Sequence, residues 1–196
     1  MTPIAWLAAL SPPPVEAEAW IWLGEADGAA AREALARAPA SRDDRADAAL
    51  AREEAGGGRL LRRRLLRALA AARLGAPPEA VRLGRDAAGA PFVAGPRPLF
   101  ASVSGSGPFA AVAVCDRPVG VDVEAVEDAA ALADLEAWCV GEAAAKAAGQ
   151  GWRLAPEVIR LSPADGSAWG GQVDGREAWG LSRRGPGWVA AGLVLR

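Results

Sequence analysis

Alternation of apolar and polar positions predicts β-strands in several parts of the chain. The run AWIWLGE, near residue 19, is typical of a short buried strand, and Gly28 suits the turn that follows it. Farther along, LFASVSGSGPF, AAVAVC and VGVDVE are β-rich runs separated by glycine, serine and proline. We expect AAVAVC and VGVDVE to form a hairpin, with DRP as the turn between them. Another hairpin is predicted at Pro186, just before WVAAGLVL.

A period of about four residues predicts a helical region over residues 41–74. Ser41 suits the start of a helix, and the glycines at 56–58 are expected to divide the region into two helices. In the second helix, leucines at every fourth position should form a buried stripe. Arginines repeat at the same spacing on the opposite side, where they either hold phosphates or form a solvated face. The leucines are Leu61, Leu65 and Leu69, and the arginines are Arg59, Arg63 and Arg67.

A further helix is predicted over residues 128–149. Leu132, Leu135 and Trp138 mark the face that we expect to be buried. Gly149 suits the left-handed conformation in which many helices end.

Composition narrows the classes of protein. With 196 residues, of which 52% are hydrophobic, the chain can form one sizeable domain or two small ones packed together. A net charge of −2 gives no general reason to expect nucleic acid or a membrane surface as partner. The absence of histidine excludes histidine-based catalysis and zinc sites that need histidine. The N-terminus lacks the basic residues of a secretory signal, and Cys115 and Cys139 lie in apolar runs, so we expect a cytoplasmic, reduced protein.

Four charged residues stand out against this background. Asp122 and Glu124 alternate with valines, so both should point to one face of a strand, where a divalent cation could offset their repulsion. Alternatively, both simply face water on an edge strand. Glu142 and Lys146 lie one turn apart on a helix, which suits an ordinary salt bridge or a place beside such a metal. Lys146 is also the single lysine of the chain, whereas the other 21 basic residues are arginine.

Several motifs follow one another in an order that is typical of one family. They are F-x-S-V-S-G-S-G-P-F from Phe100, V-G-V-D-V-E from Val119, and W-C-V-G-E-A-A-A-K from Trp138. Together they resemble the 4′-phosphopantetheinyl transferases of the Sfp type, which carry N-[LI]-S-H-S-G, G-[VI]-D-[VI]-E and W-x-x-K-E-[AS]-x-x-K. The arginine-rich helix and the turn Gly89-Ala90-Pro91 also fall in the expected order. The resemblance extends from about residue 41 to about residue 151.

The resemblance implies an α+β fold. It would be a pseudo-dimer of two similar halves, each a small antiparallel sheet packed against a long helix, with coenzyme A in the cleft between them. The N-terminal half would comprise residues 1–98, and the C-terminal half, residues 99–196, would carry the carboxylates. A monomer is expected from this architecture.

The resemblance also implies a reaction and roles for individual residues. The phosphopantetheine arm of coenzyme A would pass to a serine of an apo acyl or peptidyl carrier protein, in the presence of Mg²⁺. Asp122, Glu124 and Glu142 would hold the metal, Glu142 would be the base for the carrier serine, and Lys146 would steady the diphosphate. The residues expected at coenzyme A are Arg59, Arg63, Arg67, Ser104, Gly105 and Ser106.

The chain departs from the family pattern at three basic positions. The family's histidine in the serine turn is Gly105, the basic residue of its G-[KR]-P turn is Ala90, and the lysine before the catalytic glutamate is Gly141. Losing these donors should weaken the hold on phosphate. The link from Glu124 to Glu142 is also shorter than is usual in the family. The alternative is therefore a relative that lacks activity and binds a carrier protein or another partner.

Overall fold

Two β-sheets and four helices make up the part of the chain that the structure describes. The structure is a computed structural model, and it describes residues 4–7, 17–50, 53–128 and 132–196. The mixed α+β class predicted from the sequence is confirmed. The helices are α1 (Ala29–Arg37), α2 (Arg42–Ala49), α3 (Glu53–Leu74) and α4 (Leu132–Ala147). The strands are β1 (Ile4–Leu7), β2 (Ala19–Glu25), β3 (Arg82–Arg85), β4 (Pro91–Ala94), β5 (Leu99–Ser106), β6 (Phe109–Cys115), β7 (Val119–Ala125), β8 (Ile159–Pro163), β9 (Ala168–Val173), β10 (Arg176–Gly185) and β11 (Trp188–Leu195).

The strands are divided between two sheets. The first sheet has the order β1-β2-β6-β5-β4-β3, and the second has the order β7-β11-β10-β9-β8. All neighbouring strands are antiparallel except β1 and β2, which are parallel. The division between the sheets falls between Cys115 and Val119, so β5 and β6 belong to the first sheet although the sequence analysis groups residues 99–196 with the second half.

The two sheets pack face to face, and helices cover their outer faces. Successive side chains of a strand point to opposite faces, so each central strand contributes to two cores. On β7, Val119, Val121 and Val123 face the first sheet, where they meet alternate residues of β2 and β6. The other residues of β2 and β6 pack against α1 and α3. Helix α4 lies on the outer face of the second sheet, against β11. The order of layers is therefore helices, sheet, sheet, helix.

The predicted hairpin of AAVAVC with VGVDVE is wrong. These runs form β6 and β7, but β7 pairs with β11 and places Asp122 opposite Ala191. The turn between β6 and β7 carries the chain from one sheet to the other, because the valines of β7 bury their side chains against the first sheet. Hairpins form instead between β5 and β6, and between β10 and β11, the latter as predicted.

The helices agree with the sequence analysis in part. Ser41 caps α2 in a capping box with Asp44, and Leu65 and Leu69 are buried, all as expected. The glycines at 56–58, however, lie inside α3, so the expected break there is wrong. A helix tolerates glycine at a cost of about 1 kcal/mol per residue relative to alanine, and here the buried face of α3 outweighs that cost.

Helix α4 also differs from the expectation at one residue. Trp138 is 58% exposed, so it does not belong to the buried face on which the sequence analysis placed it. Leu132 and Leu135 do pack against the core of the second sheet. Gly149 has a φ of 72°, and the amide of Gln150 donates to Ala145 O, which is the helix end expected from the glycine. The first residues of the predicted helix, 129–131, lie outside the described ranges.

The arginine stripe of α3 forms ion pairs with α2. Arg63 and Arg67 are only 8% and 5% exposed, and both donate to Asp44. Arg59 donates to Asp47 at 3.0 Å, and Arg85 of β3 donates to the same carboxylate at 2.5 and 2.9 Å. The alternative in which this stripe faces solvent is therefore wrong. These ion pairs fix α2 against α3 and against the hairpin of β3 and β4.

Two further findings concern the whole described part of the chain. None of its helices combines the length with the low charge that crossing a lipid bilayer requires. Cys115 and Cys139 are both buried and carry free thiols.

Asp47→Asn should lower the free energy of unfolding near neutral pH and have little effect in strong acid. The Arg85 guanidinium holds the pKa of Asp47 well below its ordinary value of 3.8. Burial acts in the opposite direction and raises this pKa, whereas Arg59 lowers it further. The stability that this carboxylate contributes is thus present above the ordinary value and lost as the pH falls towards the lowered pKa. Urea denaturation of wild type and variant should differ most at about pH 7 and least at about pH 2.

The control is Asp165→Asn, which changes an exposed aspartate between β8 and β9. Its stability should follow that of wild type across the pH range. A difference between wild type and Asp47→Asn that stays constant with pH would contradict the role assigned to these ion pairs.

Candidate functional site

Helix α4 reaches the candidate site because β7 presents a glycine beneath it. A methyl group at Gly120 would overlap Ala143 O and would lie 2.8 Å from Ala147 N, both of which are backbone atoms of α4. A side chain at this position would therefore hold the helix away from the strand. Since Gly120 lacks one, the half of α4 that ends at Lys146 lies directly against β7.

The close contact between α4 and β7 brings together three side chains, which we call the junction cluster. They are Ser104 of β5, Asp122 of β7 and Lys146 of α4. The Lys146 ammonium is 2.5 Å from Asp122 Oδ1, and Ser104 Oγ donates to the same oxygen at 2.7 Å. Asp122 is only 3% exposed, whereas the Lys146 side chain is 27% exposed. The cluster therefore links strands of both sheets with the outer helix.

Three further hydrogen bonds strengthen the junction. Lys146 Nζ donates to Val121 O at 3.3 Å and to Ser104 Oγ at 3.2 Å, and Val121 N donates to Ser102 Oγ at 3.1 Å. No ion pair joins Glu142 and Lys146 in the described part of the chain, so the alternative of an ordinary salt bridge along the helix is wrong. Lys146 instead pairs across the junction with Asp122.

Cys139 is a member of this site that the sequence analysis did not single out. It lies on α4 one turn before Glu142 and two turns before Lys146, and its thiol donates to Val189 O at 3.6 Å. Burial raises the pKa of the Cys139 thiol, and the neighbouring Asp122 carboxylate raises it further. The spacing of Cys139 from Lys146 on the helix is the signal that could have indicated it.

The three carboxylates predicted to hold a metal lie around this cluster. Asp122 and Glu124 belong to the face of β7 that is turned towards α4, and Glu142 stands on α4; the last two are half-buried. Asp122 Oδ2 is buried and has no hydrogen-bond partner among the described residues. These oxygens are the ligands that Mg²⁺ prefers. Their side chains are not drawn together, however: within the described ranges, no three Asp, Glu or Cys residues form a group that could hold an ion.

A cavity of about 270 Å³ opens beside the junction cluster. Its walls come from the turn between β3 and β4, from the middle of β5, and from the end of α4 with the residues after it. Three of the lining residues are cations: Arg85, Lys146 and Arg153. No Asp or Glu of the described ranges lines it. Arg85 and Lys146 already pair with the carboxylates of Asp47 and Asp122, so an anion in this cavity would share two of its three cations with these carboxylates.

A second cavity, of about 410 Å³, adjoins the first and also includes Lys146 in its lining. Most of its walls are apolar, among them Phe92, Leu99, Phe100 and Val119. Together, the two cavities offer a cationic part and an apolar part on either side of Lys146.

The structure separates the other predicted residues. Arg59, Arg63 and Arg67 are engaged with α2 and do not line either of these two cavities. Their predicted contact with coenzyme A stays a prediction. Ser104 joins the junction cluster, whereas Gly105 and Ser106 lie at the end of β5, where Arg62 of α3 comes close to Gly105.

Gly120→Ala should destabilise the protein by about 3 kcal/mol, because the added methyl group must push the backbone of α4 away from β7. The matched control is Gly141→Ala, on α4 itself, where an added methyl group meets nothing within 4 Å. Alanine at this helical position should raise stability by up to about 1 kcal/mol. Urea denaturation measures both effects, and equal effects of the two substitutions would contradict the close approach.

A double-mutant cycle should show strong coupling between Asp122 and Lys146. Lys146→Met leaves a buried carboxylate unpaired, at a cost of about 3 kcal/mol. The double variant Asp122→Asn, Lys146→Met should lose less unfolding free energy than the sum of the losses in the two single variants. The difference, which is the coupling energy, should be about 1–3 kcal/mol.

The exposed pair Glu33 and Arg37 on α1 is the matched control for that cycle. Its coupling should be no more than about 0.5 kcal/mol. Additive effects of Asp122→Asn and Lys146→Met would show that the junction cluster is not held by this ion pair.

A scan against protein-family models found no match, and a search of the curated proteins found none either.

Proposed function

We propose that the chain is a 4′-phosphopantetheinyl transferase, which moves the phosphopantetheine arm of coenzyme A to a serine of an apo carrier protein. One observation carries the proposal. The segments that resemble the family are far apart in sequence, yet three of them line the same 270 Å³ cavity: the turn around Ala90, the strand that carries Ser102, and the helix that carries Lys146. In the family, these segments surround the phosphates of coenzyme A.

The charge of this cavity supports the same substrate. Arg85, Lys146 and Arg153 line it, and charge-assisted hydrogen bonds from such groups to phosphate are among the stronger ones in proteins. Arg85 lies near Ala90, which replaces a basic residue of the family, and could supply a positive charge there if a phosphate shares its guanidinium with Asp47. The adjoining apolar cavity would accept the less polar parts of a long nucleotide.

The layers of the fold support the pseudo-dimer that the resemblance implies. The first sheet carries helices α1 and α3 on its outer face, the second carries α4, and the two sheets meet through their inner faces. The junction cluster and both cavities lie where strands of the first sheet meet β7 and α4 of the second part. A cleft between two halves is where such a fold would place coenzyme A.

Individual residues would act as follows. The carrier serine oxygen attacks the phosphorus that bears the pantetheine arm, the bond to the second phosphate breaks, and 3′,5′-ADP leaves. Glu142 takes the serine proton, and Lys146 neutralises charge on the diphosphate, as phosphoryl transfer requires. Asp122, Glu124 and Glu142 would hold Mg²⁺, which when bound supplies positive charge to the phosphate oxygens. Lys146 would exchange part of its contact with Asp122 for contact with the diphosphate.

The alternative is a relative without activity that binds a carrier protein or another partner. The observations in its favour are the replaced positions Ala90, Gly105 and Gly141, and the three carboxylates that are not drawn together. In this case the ion pair of Lys146 with Asp122 would be purely structural. The two functions differ in whether coenzyme A binds and reacts.

Calorimetric titration of coenzyme A, with and without Mg²⁺, tests the proposal. Wild type should bind coenzyme A more tightly in the presence of Mg²⁺, and Glu124→Gln should weaken this binding by at least about tenfold, since a lost contact to a charged group costs about 1.5–3 kcal/mol. The control is Glu127→Gln, which changes an exposed glutamate three residues away and should bind as wild type does.

Intact mass of an apo carrier protein incubated with enzyme, coenzyme A and Mg²⁺ then tests the transfer itself. An increase by one phosphopantetheine group is expected. A folded protein that binds neither coenzyme A nor Mg²⁺, but still binds the carrier without changing its mass, would overturn the transferase in favour of the alternative.

A further inference from the structure

Arg62 of α3 occupies space that the absent side chain of Gly105 leaves free. A Cβ atom built on Gly105 would lie 2.6 Å from Arg62 Nη1 and 3.3 Å from Arg62 Cδ. A second glycine, Gly58, lies one helical turn before Arg62, and a Cβ there would be 3.2 Å from the same Nη1. Two glycines on different elements therefore make room for one guanidinium.

This guanidinium differs from those of its neighbours on α3. Arg59, Arg63, Arg64 and Arg67 all donate to carboxylates, a hydroxyl or carbonyl groups of α1, α2 and β3. Arg62 makes no hydrogen bond or ion pair with any group that the structure describes, and these groups do not include the side chains of residues 53–57. It is half-buried, and burial together with the positive charge of Arg59 lowers its pKa. A cation placed in this way lacks the counter-charge that its neighbours have.

The position of Arg62 relative to the junction cluster suggests what supplies that counter-charge. Along β5, Ala101 and Val103 belong to the core that α3 covers, so alternation places Gly105 on the α3 side and Ser104 on the other. Ser104 is the residue that meets Lys146 and Asp122. Arg62 and Lys146 thus approach the same end of β5 from opposite sides. Gly105 is exposed there, so a ligand can reach the turn.

We infer that Arg62 is a phosphate-binding residue at the end of β5. Its planar guanidinium can donate two hydrogen bonds to one phosphate group, which suits an anion that lies over a strand end without side chains in the way. The anion site rests on Arg62 and the two glycines, and its identification as a phosphate group of coenzyme A rests on the proposed function. Arg62 then provides from α3 the positive charge that Gly105 itself does not carry.

Calorimetric titrations with inorganic pyrophosphate and with coenzyme A test the inference on wild type and Arg62→Gln. The substitution should weaken both interactions by at least about tenfold, since each lost charge-assisted contact is worth about 1.5–3 kcal/mol. The control, Arg160→Gln, changes an exposed arginine on β8 and should leave both affinities unchanged.

Thermal unfolding distinguishes a binding residue from a structural one. Because Arg62 has no partner among the described residues, Arg62→Gln should unfold at the same temperature as wild type or at a higher one. A structural arginine would instead lower the unfolding temperature when replaced.

A variant in which the positive charge is moved from position 62 to position 105 completes the test. In Arg62→Gln combined with Gly105→Lys, the lysine finds the space that the guanidinium has left, and pyrophosphate affinity should return towards that of wild type. Gly105→Lys alone meets Arg62 and should gain no affinity.

The inference and the proposed function fail in different ways. Pyrophosphate binding that depends on Arg62, without binding of coenzyme A, would support the anion site and overturn the transferase. Binding of coenzyme A that is indifferent to Arg62→Gln would overturn the inference and leave the transferase in place. A folded wild type that binds neither probe would overturn the inference as well.

Discussion

A helix can lie with its backbone against a strand only where the strand presents no side chain, and Gly120 meets that condition beneath α4. The contact between Gly120 and the backbone at Ala143 and Ala147 sets the distance between helix and strand. That distance lets the Lys146 ammonium reach both Asp122 and the hydroxyl of Ser104 on the neighbouring sheet. The junction cluster therefore depends on the small size of one residue, and its lysine also lines the two cavities beside it.

Arginine has two different uses in this chain. Three of the six arginines of α3, Arg59, Arg63 and Arg67, hold α2 in place through the carboxylates of Asp44 and Asp47. Arg85 of β3 shares the Asp47 carboxylate. Because each of these guanidinium groups is already paired with a carboxylate, it adds to rigidity, and a ligand would have to compete with that carboxylate for it. Arg62 and Lys146 stand apart, the first without a partner in the described ranges and the second shared between a carboxylate, a hydroxyl and a carbonyl. A charge that can change partners is the kind that a binding site needs.

The features that the sequence predicted correctly are those set by local chemistry. Alternation located the strands and put Asp122 and Glu124 on one face, and Ser41 and Gly149 marked the ends of their helices. The pairing of β7 could not be predicted in this way, because a three-residue turn suits both a hairpin and a crossing to another sheet. Sequence spacing also could not predict the partner of Lys146, because Glu142 is close to it in sequence, whereas Asp122 is close only in the folded structure. The predicted burial of Trp138 was wrong because one aromatic residue on a predicted apolar stripe does not show how far the core extends.

The order of strands in the second sheet has a consequence for how the site forms during synthesis. Strand β7 lies at the edge of that sheet, and its hydrogen-bonded neighbour, β11, follows only after α4 and three other strands. The first sheet, by contrast, is assembled entirely from residues that precede β7. A nascent chain can therefore complete the first sheet while the valines of β7 still lack their partner strand. Asp122 receives its final surroundings late, when β11 inserts between β7 and β10, so the junction cluster is among the last parts of the described structure to form.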